Sequence, residues 1–234
     1  SEKPLRSKRR QQRALPLPHD FGCQQLTHDG SQRDAGMHHC DMGGGQAGDV
    51  IVGLASFGQA NYESAYNSGI GSNGLTSARH DVLGKFYAEN FKESYDNGLA
   101  AEVVYIGKHK LSEAFKDTSI GKLLLSPTRT YAPVMKELLQ NHFEKIHGLI
   151  HCSGGGQTKC MKYLPGNFKV VKDNLFEAPD VFKLIQQNSG SHLREMYEVF
   201  NMGCRLEIYC AGADVQTMIN TAKSFGIEAQ VIGR

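Results

Sequence analysis

The chain has 234 residues, 40% hydrophobic and 21% charged, the balance of an ordinary globular protein with a substantial core. No apolar run reaches the roughly 20 residues of a membrane-spanning helix, and no charged-then-apolar leader opens the sequence. The formal net charge of +2 lies in residues 1–47, with seven Lys/Arg against five Asp/Glu, so the neutral remainder gives no charge argument for nucleic-acid or membrane binding.

Residues 1–47 contain no Val, Ile or Tyr, while Arg, Gln, His and Gly abound and Pro4, Pro16 and Pro18 interrupt them. Such a segment cannot bury enough apolar surface to offset its ordering entropy. It reads as disordered, or as a head foreign to the fold. Lys8, Arg9, Arg10 and Arg13 read as a solvated basic run rather than an anion contact. His38, His39 and Cys40, with Cys23 and Asp41, lack a second ligand pair at zinc spacing, so no metal site is expected there.

From Asp49 the pattern becomes that of strands and helices. Val50–Ala55, Val103–Ile106 and Gly148–His151 read as buried strands. Leu206–Cys210 and Ile227–Val231 alternate and read as half-exposed ones. Helices are expected from Leu75, through Tyr131, Val134, Met135, Leu138 and Leu139, from Pro179 to Gly190, and through Val215, Met218, Ile219 and Ala222 to a stop at Gly226. The predicted fold class is α/β (α+β-like), a mixed β-sheet packed with helices. Six cysteines are too few for a disulfide scaffold, and those at 152, 160, 204 and 210 read as buried packing residues.

Two glycine-rich turns carry the chemistry. Strand Gly148–His151 runs into Cys152-Ser153-Gly154-Gly155-Gly156, and Gly69-Ile70-Gly71-Ser72-Asn73-Gly74 opens the helix at Leu75. A helix start presents unpaired N–H groups that attract anions, and glycine lets the backbone come close. The competing reading is a tight turn needing positive φ, with Ser72 or Asn73 as a plain N-cap. His151 either bonds substrate and relays a proton or is held structurally by a neighbouring carbonyl. Arg79 either reaches a phosphate or pairs on the surface. Ser126-Pro127-Thr128-Arg129 reads as a proline-set turn, and Asn201 and Gly203 either line the same cleft or turn the chain.

In order along the chain, Gly48–Ser56, Ser72–Arg79, Leu124–Tyr131, His151–Gly156, and Glu195-Met196 with Phe200–Gly203, resemble the motifs of the phosphoribosylformylglycinamidine cyclo-ligase (AIR synthase) family. The resemblance covers residues 48–234 as the family's C-terminal domain, behind a non-matching head at 1–47. It implies ATP-dependent ring closure of formylglycinamidine ribonucleotide: ATP phosphorylates the formyl amide oxygen, and the substrate's own nitrogen attacks that carbon. It further implies phosphate or substrate contacts from Ser72, Asn73, Gly74, Arg79, Ser153, Gly154, Gly155, Gly156 and Asn201, a catalytic His151, and no metal ligand in this part. ATP and Mg2+ would be bound largely by an N-terminal half that residues 1–47 do not match. A homodimer acting on a phosphorylated small molecule follows by resemblance; the cytoplasm is the default location from composition, and no nucleic-acid or membrane partner is expected. A selenophosphate synthetase-like or hydrogenase-maturation-like enzyme, or a non-catalytic remnant, are the alternatives.

Three departures stand out. Phe57–Gly71 forms an insertion ahead of the Ser-Asn-Gly run, and Gly71 takes the place of the family's histidine. Lys159, Lys162 and Tyr163 follow the triple glycine where the family often shows Asn and Arg. The family's Phe-Asn-Met-Gly-Ile-Gly becomes Phe200-Asn201-Met202-Gly203-Cys204-Arg205.

Overall fold

A computed structural model describes residues 45–164 and 168–234. The expectations about Lys8–Arg13 and the His38–Asp41 cluster lie outside the described residues.

The strands are β1 (Val50–Ala55), the short hairpin pair β2 (Ala114–Phe115) and β3 (Thr118–Ser119), β4 (Gly148–His151), β5 (Cys204–Cys210) and β6 (Ala229–Gly233). The α-helices are α1 (Leu75–Val82), α2 (Phe86–Asn90), α3 (Ile120–Leu124), α4 (Ala132–Asn141), α5 (Asp180–Ser189), α6 (Leu193–Val199) and α7 (Val215–Ser224). Four strands form one sheet in the order β4-β5-β1-β6, and every pairing in it is antiparallel. The α+β arrangement expected from the sequence is therefore present.

One sheet face carries Val52, Leu54, Leu206 and Ile208 against Val134 and Leu138 of α4 and Met218 and Ala222 of α7. The other carries Ile51, Ala55, Ile150, Cys204 and Tyr209 against Cys160 and Phe176. A third cluster joins α1, α3, α5 and α6 through Ala78, Leu124, Phe182 and Met196, with Phe200 beside them. The helical stripes predicted for α4, α5 and α7 thus turn largely toward the core, except that Leu139 of the α4 stripe is exposed. Left-handed Gly190 ends α5 (φ 62).

Four expectations need correction. Val103–Ile106 is not a strand: a 3₁₀ turn covers Ala101–Val103, and Tyr105 takes a left-handed φ of 45, which no ladder accommodates. Val104 and Tyr105 are buried all the same, and Ile106 N–H bonds the His80 carbonyl (2.8 Å), docking the segment on α1. β5 is buried along its whole length rather than half exposed, since both sheet faces are covered. The residue capping α1 is Gly74 in a left-handed conformation, with no side-chain cap from Ser72 or Asn73. The helix after the triple glycine is a seven-residue 3₁₀ segment, Gly156–Lys162, and not an α-helix. So short a 3₁₀ turn has little axial dipole, which weakens the charge argument for that turn.

Candidate functional site

The exits of β1, β4 and the start of β5 lie together at one end of the sheet, because β5 pairs with both neighbours. β5 carries a β-bulge here: Leu54 faces Leu206 and Ala55 faces Cys204, so Arg205 is the extra residue. A bulge re-aims a side chain, and Arg205 is sent into the protein, only 3% exposed.

The two glycine turns converge on one structural feature, the C-terminal end of α6. The Asn73 side-chain amide donates to the Val199 carbonyl (3.1 Å), and a Cβ on Gly74 would come within 2.5 Å of the Phe200 ring. From the other side, a Cβ on Gly156 would lie 2.3 Å from the Tyr197 carbonyl oxygen and 2.6 Å from that of Phe200. Gly154, Gly155 and Gly156 all hold positive φ (64, 123 and 51). Among the described residues, none accepts a hydrogen bond from their main-chain N–H groups. Ser72 is exposed, and its N–H donates to the Thr128 hydroxyl (2.8 Å).

His151, half-buried at the end of β4, has Nδ1 2.9 Å from the Ser153 hydroxyl, and its ring meets Tyr131 edge-on at 6.4 Å. Its carbonyl accepts from the Lys159 ammonium (3.0 Å) and from Ser153 N–H (2.7 Å). Asn201 is buried, and its side-chain amide is committed to the scaffold. Nδ2 donates to the Gly69 carbonyl (2.9 Å), while Oδ1 accepts from the Ser56 hydroxyl (2.7 Å) and Gly203 N–H (2.9 Å). It fixes the Gly69 turn to the exit of β1. Arg79 stands apart from this convergence, its guanidinium donating to the Ser94 carbonyl (3.4 Å) in the 3₁₀ turn Lys92–Ser94.

Behind the turns sits a buried polar group that sequence reasoning undervalued. Arg129 holds Glu63 bidentately (2.9 and 2.7 Å) and donates to the carbonyls of Ala55 (2.9 Å) and Phe57 (2.7 Å). This anchors the Phe57–Gly71 insertion and supports the reading of Ser126–Arg129 as structural. The Tyr131 hydroxyl donates to the same Ala55 carbonyl (2.8 Å). Burial by itself would raise the Glu63 carboxyl, yet the hydrogen bonds and charge of Arg129 hold it below the usual carboxylate range. Burial pushes the Tyr131 phenol far up, against the opposing pull of Arg205 and Arg129.

These shifts set a pH window. Tyr131 and Tyr209 have raised folded values, so their contribution is whole below about 10, the ordinary tyrosine value, and is lost as pH rises beyond it. Glu63 has a lowered folded value, so its contribution is whole above the ordinary carboxylate value of about 4 and is lost as pH falls through the folded one. Urea midpoints measured from pH 3 to 11 are expected to fall at both ends, with the alkaline loss reduced in Tyr131→Phe. An unchanged alkaline limb in that variant would show that burial of Tyr131 does not set it.

The fold, a four-stranded antiparallel sheet covered on both faces and carrying paired glycine turns at one end, is that of an α+β domain. Residues 46–234 match the family described as AIR synthase related protein, C-terminal domain, and the chain belongs to it. It is 35% identical over 190 residues to a phosphoribosylformylglycinamidine cyclo-ligase of Carboxydothermus hydrogenoformans, covering 80% of this chain and 46% of that protein. It is 33% identical to one of Methanocaldococcus jannaschii (81% and 45%) and 31% identical to one of Methanobrevibacter smithii (81% and 46%). The chain spans about half the length of these curated relatives. Among the described residues no helix is long and apolar enough to cross a membrane.

Proposed function

We propose that this chain is the substrate-holding C-terminal domain of a phosphoribosylformylglycinamidine cyclo-ligase. The reaction is the ATP-dependent closure of formylglycinamidine ribonucleotide to aminoimidazole ribonucleotide in purine synthesis. The observation that carries this is the meeting of both glycine turns at the end of α6, with the N–H groups of Gly154–Gly156 unclaimed by the described residues. Backbone amides of this kind donate to a phosphate without a side chain's entropy cost. Ser153 and Asn73 add polar contacts beside them, and His151 stands 2.9 Å from the Ser153 hydroxyl, where it can orient that hydroxyl toward a ligand. Because the nucleophile is the substrate's own nitrogen, the domain's contribution is positioning and charge stabilisation.

ATP supplies the phosphoryl group that turns the amide oxygen into a leaving group. Among the described residues no group of three or more His, Cys, Asp or Glu is placed to hold a metal ion. In this reading ATP and Mg2+ are bound largely by the part of the family's length that this chain does not span, and a homodimer in the cytoplasm is the expected assembly.

Calorimetric titration with formylglycinamidine ribonucleotide tests this reading. Saturable binding at one site per chain is expected, with no ring closure by the chain alone. Absence of binding to the ribonucleotide, under conditions where the chain unfolds cooperatively, would remove it.

A further inference from the structure

Among the described residues, Arg205 is the one buried cation of this region whose charge nothing offsets. Its Nη2 donates to the Gly69 carbonyl (2.7 Å), but Nη1 is buried with no hydrogen-bond partner among the described residues. Among the described residues no carboxylate pairs with it. The neighbouring Arg129 spends its charge on Glu63, and burial draws the Arg205 guanidinium below its ordinary value. Arginine stays protonated all the same. A buried charge without a counter-ion is heavily destabilising, so the arrangement calls for an anion.

The sequence departures converge on the same point. A Cβ on Gly71 would lie 2.3 Å from Arg205 Nη2, 2.4 Å from Nη1 and 2.5 Å from the guanidinium carbon. Gly71 stands where the resembled family has a histidine, and Arg205 where it has a glycine. The two exchanges are therefore one: a bulky polar group has moved from the turn to the bulge of β5, and the turn has lost its side chain to admit it. Structure maintenance alone does not require the guanidinium, since the Gly69 carbonyl also accepts from the Asn201 amide (2.9 Å).

We propose that Arg205 is an anion-binding residue of this site, its free Nη1 donating to a phosphate monoester that displaces the bare Gly71 backbone covering it. Gly69, Gly71 and Gly74 all hold positive φ (88, 62 and 78), which gives this turn the backbone freedom to shift aside. The inference rests on the reading that a phosphorylated small molecule is held here, but not on which one.

The test uses the full chain with inorganic phosphate, ribose 5-phosphate and ADP as probes. In wild type, each phosphate that reaches the site should raise the melting temperature and shift the guanidinium nitrogen resonances of Arg205. Ribose 5-phosphate acting alone would assign the substrate's phosphate, and ADP acting alone the nucleotide's. Arg205→Met should melt no lower than wild type without ligand, because a buried unpaired charge has gone, and should bind the effective probe at least about tenfold more weakly. Binding unchanged in Arg205→Met, or guanidinium resonances unmoved by every probe, overturns the proposal. If Arg205→Met fails to fold, the wild-type resonances decide alone. Failure to bind formylglycinamidine ribonucleotide while phosphate still acts through Arg205 would count against the proposed substrate and leave this inference standing.

Discussion

Replacing Glu207 with leucine is expected to destabilise the domain by about 3–5 kcal/mol, the usual cost of breaking one side of a buried ion pair. Glu207 is fully buried on β5, paired with the Lys172 ammonium, and also accepts from the Cys152 thiol (3.0 Å) and the Tyr209 hydroxyl (2.9 Å). Burial works against the charge on Lys172, and the Glu207 carboxylate beside it more than restores it, holding the amine protonated above the ordinary lysine range. Removing the carboxylate strands that ammonium in an apolar layer. The double variant Glu207→Leu with Lys172→Met removes both charges and should recover most of the loss, which a double-mutant cycle in urea reads directly. The consequence reaches the site. Lys172 donates to the Gln157 carbonyl (2.7 Å), and Gln157 in turn holds the carbonyls of Asn201 (2.6 Å) and Cys204 (2.8 Å). The triple-glycine turn therefore stands on this pair, and the single variant should lose ligand affinity with stability. A cost below about 1 kcal/mol would mean that the pair is solvated rather than buried.

Glu207 also shows where sequence reading stopped. Leu206-Glu207-Ile208 alternates apolar with charged, which normally means one wet face. Here the charged residue points into the second core because Lys172, thirty-five positions away, satisfies it. Nothing local announces such a partner. By contrast, β4 and the body of α4 match their expected spans because continuous apolar runs and helical spacing are local signals. The tight turns were legible as glycine runs, but the cap of α1 was not. The left-handed φ of 78 at Gly74 comes from close packing on Phe200, a tertiary contact, and overrides the capping preference of Ser72 and Asn73. Arg205 was visible only as a departure from a motif. A second departure at Gly71 was the signal that the two belong together, and only their contact in space explains either.

The glycines of the turn after β4 should separate stability from binding, because they differ in what a methyl group would meet. Gly156 has φ 51, and an added Cβ would fall 2.3 and 2.6 Å from two carbonyl oxygens at the end of α6. Those oxygens are main chain and cannot swing away. Left-handed strain of about 1–2 kcal/mol adds to about 1–3 kcal/mol of overpacking, so Gly156→Ala should cost roughly 2–5 kcal/mol. Gly154 has φ 64 but open space around the added methyl, with nothing within 4 Å. Gly154→Ala should carry the strain alone, about 1–2 kcal/mol, and lower the melting temperature by only several degrees. That open space is where the proposed phosphate sits over the unclaimed amides, so Gly154→Ala should still weaken binding of the ribonucleotide by at least about tenfold. Thermal melts and titrations of the two variants side by side give the answer. If Gly154→Ala binds like wild type, the turn connects a strand to a 3₁₀ segment and holds no phosphate. If Gly156→Ala melts like wild type, the close approach to α6 does not fix the turn.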